Sequence, residues 1–441
     1  LRTINKTNHN GSISNKHKTN QQQTNQHNFM IPVEQALQTI LENTQDFGVE
    51  EVPYIKSIGR VLKEDIVADR DFPPFNRVAM DGIAINHRFF VHGVRDFKIE
   101  GIQPAGSPQE TLGNAAHCYE VMTGAVLPEN TDTVIRYEDV SIDTLMATVN
   151  LDQVEKGKNI HTKGQDRQQG DVLIPKNRII TAAEMGVISS VGKATVKVAK
   201  VPKVMIVSTG DELVEVHETP RAHQIRRSNS FSVVSLLERF HIHAETDHIV
   251  DDKETLKERI AHHLESYDAL IFSGGVSKGK FDFLPEVLDE LGVEKLFHRV
   301  AQRPGKPFWY GRLTSLEMSG QEVQQNSRKK VSVFAFPGNP VSTYVNCLAY
   351  FYPWYAKSAG FELKEETVIL GEDVTFKPDL TYFLQVKIDI KYGHLVATPV
   401  RANGSGDLVS LVDADGFIQL PKGQTEFKKG ETFPLLRYRN S

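Results

Sequence analysis

Val204-Met-Ile-Val-Ser-Thr-Gly-Asp-Glu212 runs a short apolar stretch into a glycine and two acids, and the arrangement recurs downstream. Asp251-Asp252, Ser273-Gly-Gly-Val-Ser277, Pro304-Gly-Lys-Pro307 and Phe336-Pro-Gly-Asn-Pro340 each follow a brief apolar run that reads as a buried strand. Helical spacings lie between them. Val233, Val234, Leu236, Leu237 and Phe240 share one face, and Leu256, Ile260 and Leu264 lie four apart. Pro285 opens a helix carrying Leu288 and Leu291, and a long apolar helix runs from about Val341 to Ala356. Strand and helix in alternation from residue 201 predict a doubly wound parallel sheet covered by helices. Such strands present their carboxyl ends along one edge, so these segments are expected to converge on a single cleft.

Away from this stretch the pattern is mostly β. Val33, Ala36, Leu37, Ile40 and Leu41 predict a helix over Pro32–Leu41, with Pro32 in its first turn. Short β-type stretches dominate from Val52 to Val198, with 97–99, 133–137 and 147–151 the clearest. After Gly360 the chain returns to β, where Leu384, Val386, Ile388 and Ile390 alternate with polar residues as in a half-buried antiparallel strand. The fold class is α/β plus β in a multidomain chain. Residues 30–70 are expected to pack with 171–200 as a discontinuous domain. A mostly-β inserted domain over 71–170, an α/β domain over 201–358 and a C-terminal β domain over 359–441 complete the division. Residues 1–29, rich in Asn, Gln, Thr, His and Lys, read as a disordered tail without the apolar stretch of a secretory signal, and 316–330 as an exposed loop.

Of the 441 residues 39% are hydrophobic and 24% charged, and no apolar run approaches the ~20 residues of a membrane helix. A net charge of -5 supplies no basic field for nucleic acid. Two cysteines, Cys118 and Cys347, without metal-ligand spacing favour a reducing compartment.

Ser273, Gly274, Gly275 and Ser277 follow a buried strand, where backbone N–H groups approach a ligand closely and suit an anion; the same residues also make an ordinary tight turn. Pro337, Gly338, Asn339 and Pro340 hold the same position, with Ser342 available to cap the helix or bond a phosphate oxygen. Arg299, Arg303 and Lys306 bring cations to that edge, as a solvated basic turn also would. Glu212, Asp251 and Asp282 lie beside these anion-attracting loops, which makes electrostatic sense if a cation sits between them. Mg2+ held by carboxylates and substrate phosphates meets the need, although each acid would serve equally at a helix start. Asp81 and Thr123 belong to another region, and join the cleft only if their domain or a partner subunit's closes over it.

Several motifs together carry a resemblance. Asp71-Phe-Pro-Pro-Phe75 with Ala79-Met-Asp-Gly82, Met122-Thr-Gly-Ala-Val-Leu-Pro128 and Lys163-Gly-Gln-Asp166 precede Ser208-Thr-Gly-Asp-Glu-Leu213 and Ser273-Gly-Gly-Val-Ser277. Pro304-Gly-Lys-Pro-Phe308 and Pro337-Gly-Asn-Pro-Val-Ser342 follow. In that order, and over about Met30 to the C-terminus, they resemble the MoeA-type molybdopterin molybdenumtransferases, which also form the C-terminal part of gephyrin-like proteins. The resemblance implies an enzyme that takes adenylylated molybdopterin and molybdate, inserts the metal into the pterin dithiolene and releases AMP. It implies an elongated, cytoplasmic homodimer whose cleft is shared between the Asp81-bearing domain of one chain and the α/β domain of the other. It further implies an adenylylating enzyme and acceptor molybdoenzymes as partners. The family's functional acids fall on Asp81, Asp166, Glu212, Asp251 and Asp282, its threonine on Thr123, its turn prolines on Pro337 and Pro340, and its glycine-flanked serine on Ser405.

Departures from the family pattern are Ile83 for Tyr, His161 for Arg, Gln165 for Glu, and Arg227-Ser228-Asn229 for Asp-Ser-Asn; lysines near the Pro-Gly-Lys-Pro turn appear as Arg299 and Arg303. Two rival readings are adenylylation of molybdopterin by ATP and a non-catalytic dimeric scaffold of the gephyrin type. Adenylylating relatives carry Gly-Gly-Thr-Gly where this chain has Gly275-Val276-Ser277, and a scaffold needs none of the acids.

Overall fold

The computed structural model describes residues 30–276, 282–314 and 330–439; the tail over 1–29, Ser277 and residues 315–329 lie outside this range. The chain divides into two compact units. One takes in the described residues up to Glu50, Gly59–Val61 and those from Ala199 on; the other takes in Glu51–Ile58 and Leu62–Val198. No helix among the described residues is long and apolar enough to cross a membrane.

The larger unit is built on a six-stranded sheet ordered Glu245–Ile249, Val204–Thr209, Ala269–Ser273, Lys330–Phe336, Trp309–Thr314, Glu294–His298. The first four strands are parallel, and Trp309–Thr314 runs against both its neighbours. Val204–Thr209 and Ala269–Ser273 are buried along their whole length, which explains why they are apolar runs and not alternating ones. Leu256, Ile260 and Leu264 of the helix Lys253–Ser266 join Leu270, Phe272 and Val333 in its core, each such side chain contributing about 1.5–3 kcal/mol by leaving water. The helix expected from Val341 to Ala356 is continuous but not uniform. Pro340–Asn346 is α, Cys347–Phe351 is a π turn, and Tyr352–Ala359 is α again, ended by Gly360 at φ +77°.

One strand-to-loop expectation is corrected. Pro304–Pro307 does not follow a strand of the parallel set; it lies in the connection between Glu294–His298 and Trp309–Thr314, a hairpin in which His298 faces Trp309. The preceding Gln302–Arg303 pairs instead with Thr381–Tyr382 of the C-terminal sheet. Because Trp309 also faces Ala335, near the end of Lys330–Phe336, this connection still emerges at the carboxyl edge.

In that C-terminal sheet, Thr381–Lys391, His394–Pro399, Glu366–Leu370, Thr432–Arg437 and Gly416–Leu420 pair in a closed ring around Leu370, Val386, Ile418 and Phe427. The expected alternation over 384–390 holds only in part, because the strand outruns the barrel: Ile390 is exposed, while Gln385 is buried against Ser410 at 2.9 Å.

The second unit is mostly β. Its six-stranded sheet runs Thr133–Arg136, Gly82–Ile85, Cys118–Val121, Asp96–Gln103, Met146–Val149, Val140–Asp143, packed on Phe90 and Phe97. A separate cluster joins Leu62 and Ile66 to Ile174, Ile180 and Ile188. It includes the helix Ala182–Ser190, which the β reading of this region passes over although Thr181 and Glu184 form a capping box at its start.

Candidate functional site

Four segments meet at the carboxyl edge of the larger unit's sheet. The turn after Ala269–Ser273 takes Gly274 to φ +113° and Gly275 to +70°, and a Cβ on either would lie 2.9–3.0 Å from Thr209 Oγ1. Both backbone angle and space therefore demand glycine there. Gly338, in the turn after Lys330–Phe336, abuts Gly274: its Cβ would stand 3.5 Å from the Gly274 Cα. Asn229 ties the two turns, donating from Nδ2 to Ser273 Oγ at 2.9 Å and to Gly338 O at 2.7 Å. Thr343 Oγ1 donates to Pro337 O at 2.7 Å. Ser405 completes the edge, its Oγ accepting from Asn339 Nδ2 at 2.9 Å and its carbonyl from Val341 N at 3.1 Å. Pro340 opens the following helix, and Ser342, one residue before Thr343, is buried. Gly338 and Asn339 face solvent.

The acids gather on the same edge. Asp211 and Glu212 follow Val204–Thr209 and are exposed, Asp251 follows Glu245–Ile249, and Asp282 is half-buried. The Asp251 backbone N–H donates to Asp211 Oδ1 at 3.1 Å. Burial, then the charges of Asp211, Glu212 and Asp282, raise the Asp251 carboxyl above its ordinary range, with His248 acting the other way. His248 donates from Nε2 to Gly210 O at 2.9 Å. Asp252 serves the fold instead, its Oδ1 accepting from Thr255 N at 2.9 Å and capping the helix Lys253–Ser266. Among the described residues no three His, Cys, Asp or Glu side chains converge closely enough to hold a metal ion. The mutual repulsion recorded in Asp251 and an all-oxygen donor set nevertheless suit a hard divalent cation, with Asp211 an addition to Glu212, Asp251 and Asp282.

A folded carboxyl with a raised pKa holds its proton more tightly than the unfolded chain does. Folding is then favoured at low pH, and the penalty grows as pH rises past the ordinary carboxylate value until it is complete above the raised one. Asp251→Asn, neutral throughout, is therefore expected to melt about 1–2 °C above the parent at pH 7 without divalent cation, the gap closing near pH 3. Thermal melts at the two pH values check this; a lower Tm at pH 7 would mean that the charge is already compensated.

Arg299, Arg303 and Lys306 occupy the hairpin connection. Arg303 and Lys306 are exposed, and among the described residues neither has a carboxylate partner. Main chain pins the connection near its start, where Ile31 N donates to Arg299 O, Ala301 N to Ile31 O, and Thr381 N to Ala301 O at 2.9 Å, and closes it where Arg299 N donates to Phe308 O at 2.8 Å. Arg227, where the family pattern has Asp, is buried; its Nη1 donates to Glu215 Oε1 at 2.5 Å and its Nη2 to Asp247 O at 3.3 Å. It braces the middle of the strand Glu245–Ile249, its charge paired with Glu215.

In the second unit, Asp81 Oδ1 accepts from Thr123 N at 2.6 Å and Thr123 Oγ1 at 2.7 Å. These two bonds hold the exposed Asp81 carboxyl below the usual range. Asp166 is gripped by His161, whose Nε2 lies 2.9 Å from Asp166 Oδ1 while Arg77 Nη2 donates to its Nδ1 at 3.0 Å. Since Arg only donates, Nδ1 accepts and Nε2 carries the hydrogen toward Asp166. Ile83 is wholly buried in the sheet core, so the family's polar residue is replaced by packing.

Asn229, Thr343 and Asp211 were not among the expected site residues. Asp211 stands beside Glu212 in the same motif, and Asn229 follows Arg227-Ser228 in a stretch already compared with the family pattern. Nothing in the sequence distinguishes Thr343 from Ser342.

Comparison with known proteins extends over nearly the whole chain. Residues 31–192 match the MoeA N-terminal region (domain I and II), 205–357 a probable molybdopterin binding domain, and 367–438 the MoeA C-terminal region (domain IV). A molybdopterin molybdenumtransferase of Synechocystis is 40% identical over 412 residues, spanning 92% of this chain and 99% of that protein. One from Bacillus subtilis is 29% identical over 93% of this chain and 94% of its own. The crystal structure of a molybdopterin biosynthesis MoeA protein from Pyrococcus horikoshii superposes with a TM-score of 0.78 at 26% identity, covering 93% of this chain and all of that one.

Proposed function

The chain belongs to the MoeA family of molybdopterin molybdenumtransferases, and from that premise we propose that it inserts molybdate into adenylylated molybdopterin and releases AMP. The observation that carries the proposal is the meeting, on one sheet edge, of two abutting glycine turns, two exposed cations and four acids. An anionic substrate that also binds a divalent cation explains why such opposite charges share one edge.

In this reading the Gly274–Gly275 and Gly338 turns admit the phosphate-bearing substrate close to the backbone, and Asn229 keeps the two turns in register. Arg303 and Lys306 hold the molybdate oxygens, Arg303 with the geometry to fork onto two of them. Glu212, Asp251 and Asp282, with Asp211, are the residues that would hold Mg2+. When bound, the ion supplies positive charge to the phosphates whose bond to AMP is broken. Asp81, kept ionised by Thr123, and Asp166, oriented by His161, are the second unit's candidates for orienting substrate. The proposal includes a homodimer with four domains per subunit, divided at 30–70 with 171–200, 71–170, 201–358 and 359–441. A reducing, cytoplasmic setting is consistent with Cys118 and Cys347 being buried free thiols.

The test is AMP release from purified protein given adenylylated molybdopterin and Mg2+, with and without molybdate. Molybdate-dependent release, with activation of an apo-molybdoenzyme, is the expected result. No hydrolysis from a folded dimer would overturn it in favour of a scaffold. The Asp81–Thr123 pair makes a further prediction. Thr123→Val removes one of the two donors that depress the Asp81 carboxyl, so its pKa rises and the acid limb of the kcat/KM profile moves to higher pH. A limb that stays in place would remove Asp81 ionisation from the rate.

A further inference from the structure

We propose that Gln302, Asn346 and Tyr350 form a buried clamp that sets the shape of the turn Arg303-Pro304-Gly305-Lys306, making them positioning residues for the molybdate oxyanion. The inference rests on the reading that this turn takes the oxyanion.

Arg303 and Lys306 are exposed while Gly305 between them is buried, so the turn offers two cations outward and rests on its glycine. Beneath it lie two amides. Gly305 has φ +90°, and a Cβ there would stand 2.6 Å from both Asn346 Oδ1 and Gln302 Nε2. Gln302 Nε2 donates to Pro304 O at 2.9 Å and to Asn346 Oδ1 at 2.8 Å, and Gln302 Oε1 accepts from the Tyr350 hydroxyl. Gln302, Asn346 and Tyr350 are each 0% exposed.

The bonds fix how both amides face. Gln302 uses both N–H groups on acceptors, so turning Asn346 over would oppose two donors. In the orientation that remains, Asn346 Nδ2 is buried without a hydrogen-bond partner, 3.0 Å from where a Gly305 Cβ would be. An unpaired buried donor is costly and marks a place where something other than stability shapes the structure. Here it lies beneath Gly305 of the turn that carries the two cations. Main-chain bonds hold the segment before the turn, at Arg299 and Ala301, and the Lys306 carbonyl, which accepts from Val300 N at 3.0 Å; the side-chain bond to the Pro304 carbonyl comes from Gln302. Tyr350 belongs to the π turn that begins directly after Asn346, a local irregularity frequent at functional sites.

The experiment measures the molybdate and adenylylated-molybdopterin dependence of cofactor formation in the full chain carrying Lys306→Ala, Asn346→Leu or Tyr350→Phe, with thermal melts alongside. Lys306→Ala and Asn346→Leu are each expected to raise the KM for molybdate about tenfold, with kcat and the KM for the pterin within about threefold of the parent. Asn346→Leu should melt within about 3 °C of the parent, because losing its acceptor is offset by removing the unpaired donor. If Lys306→Ala raises that KM and a folded Asn346→Leu does not, the clamp is wrong. If neither variant changes it, the assignment of the turn to molybdate fails instead, and the clamp with it. Should Asn346→Leu not fold, Tyr350→Phe, which deletes one hydroxyl, decides in its place: a selective rise of about threefold or more supports the clamp, and a parent-like value overturns it.

Discussion

Glu212→Gln is expected to lower turnover by about 10²- to 10³-fold while leaving the melting temperature within about 2 °C of the parent. The exchange keeps the size and shape of the side chain and removes its charge. Glu212 is exposed, has no salt-bridge partner among the described residues, and folds back over Gly210, where a Cβ would meet its carboxylate at 2.5 Å. Stability should therefore hardly notice the change, whereas a site that needs carboxylates around a cation loses one of its donors. The measurement is AMP release at saturating substrates over a Mg2+ titration. Weakened dependence on Mg2+ together with the lower plateau would assign Glu212 to the ion. Asp81→Asn should also reduce turnover, without altering the Mg2+ dependence, and parent-like rates in both variants would exclude the two carboxylates from the mechanism.

The second large effect falls on stability. Gly82 follows Asp81 and sits between Val121 on one neighbouring strand and Arg136 on the other. Its backbone is not in a conformation reserved for glycine; the restriction is space. A Cβ would lie 1.9 Å from Ile135 O and 2.7 Å from Arg136 Cα, both main-chain atoms that cannot swing aside. Gly82→Ala must part the strands Gly82–Ile85 and Thr133–Arg136, and is expected to cost about 3 kcal/mol, with faster proteolysis of residues 62–198. Urea unfolding and limited proteolysis read it directly. Turnover should fall with it, since Asp81 and Thr123 are held by this strand and its surroundings. Parent-like resistance would show that the sheet yields at this point.

Much of the α/β framework was legible because it is written in runs. Residues 204–207 and 269–272 are apolar throughout since both faces are covered, and glycines soon after such runs announce turns at the edge where ligands bind. What escaped depends on which side chain crosses to which loop. Asn229 joins residues 44 and 109 positions away, and no spacing rule reports such a link. Arg227 departs from the family pattern in sequence, and only the structure shows it buried with its guanidinium on the partly exposed Glu215. The Pro304–Pro307 turn reads as the end of a parallel strand because an apolar run precedes it, and nothing in that run tells that Glu294–His298 pairs antiparallel with the later Trp309–Thr314. The π turn at Cys347–Phe351 is apolar and buried throughout, so periodicity alone could not find it.

The main-chain partners of the 299–308 connection give the molecule a timetable. Ile31 is made well before the connection, and Thr381 well after it. A nascent chain therefore possesses its glycine turns and acids for some time before the strand bearing Thr381 can settle against the cationic turn, and long-range pairings of this kind form slowly. The edge is complete only once both Thr381 and Ser405 have been made, Thr381 for the segment before the cationic turn and Ser405 for the turn at Gly338. If the turn takes the oxyanion as proposed, its capture is left to finished molecules.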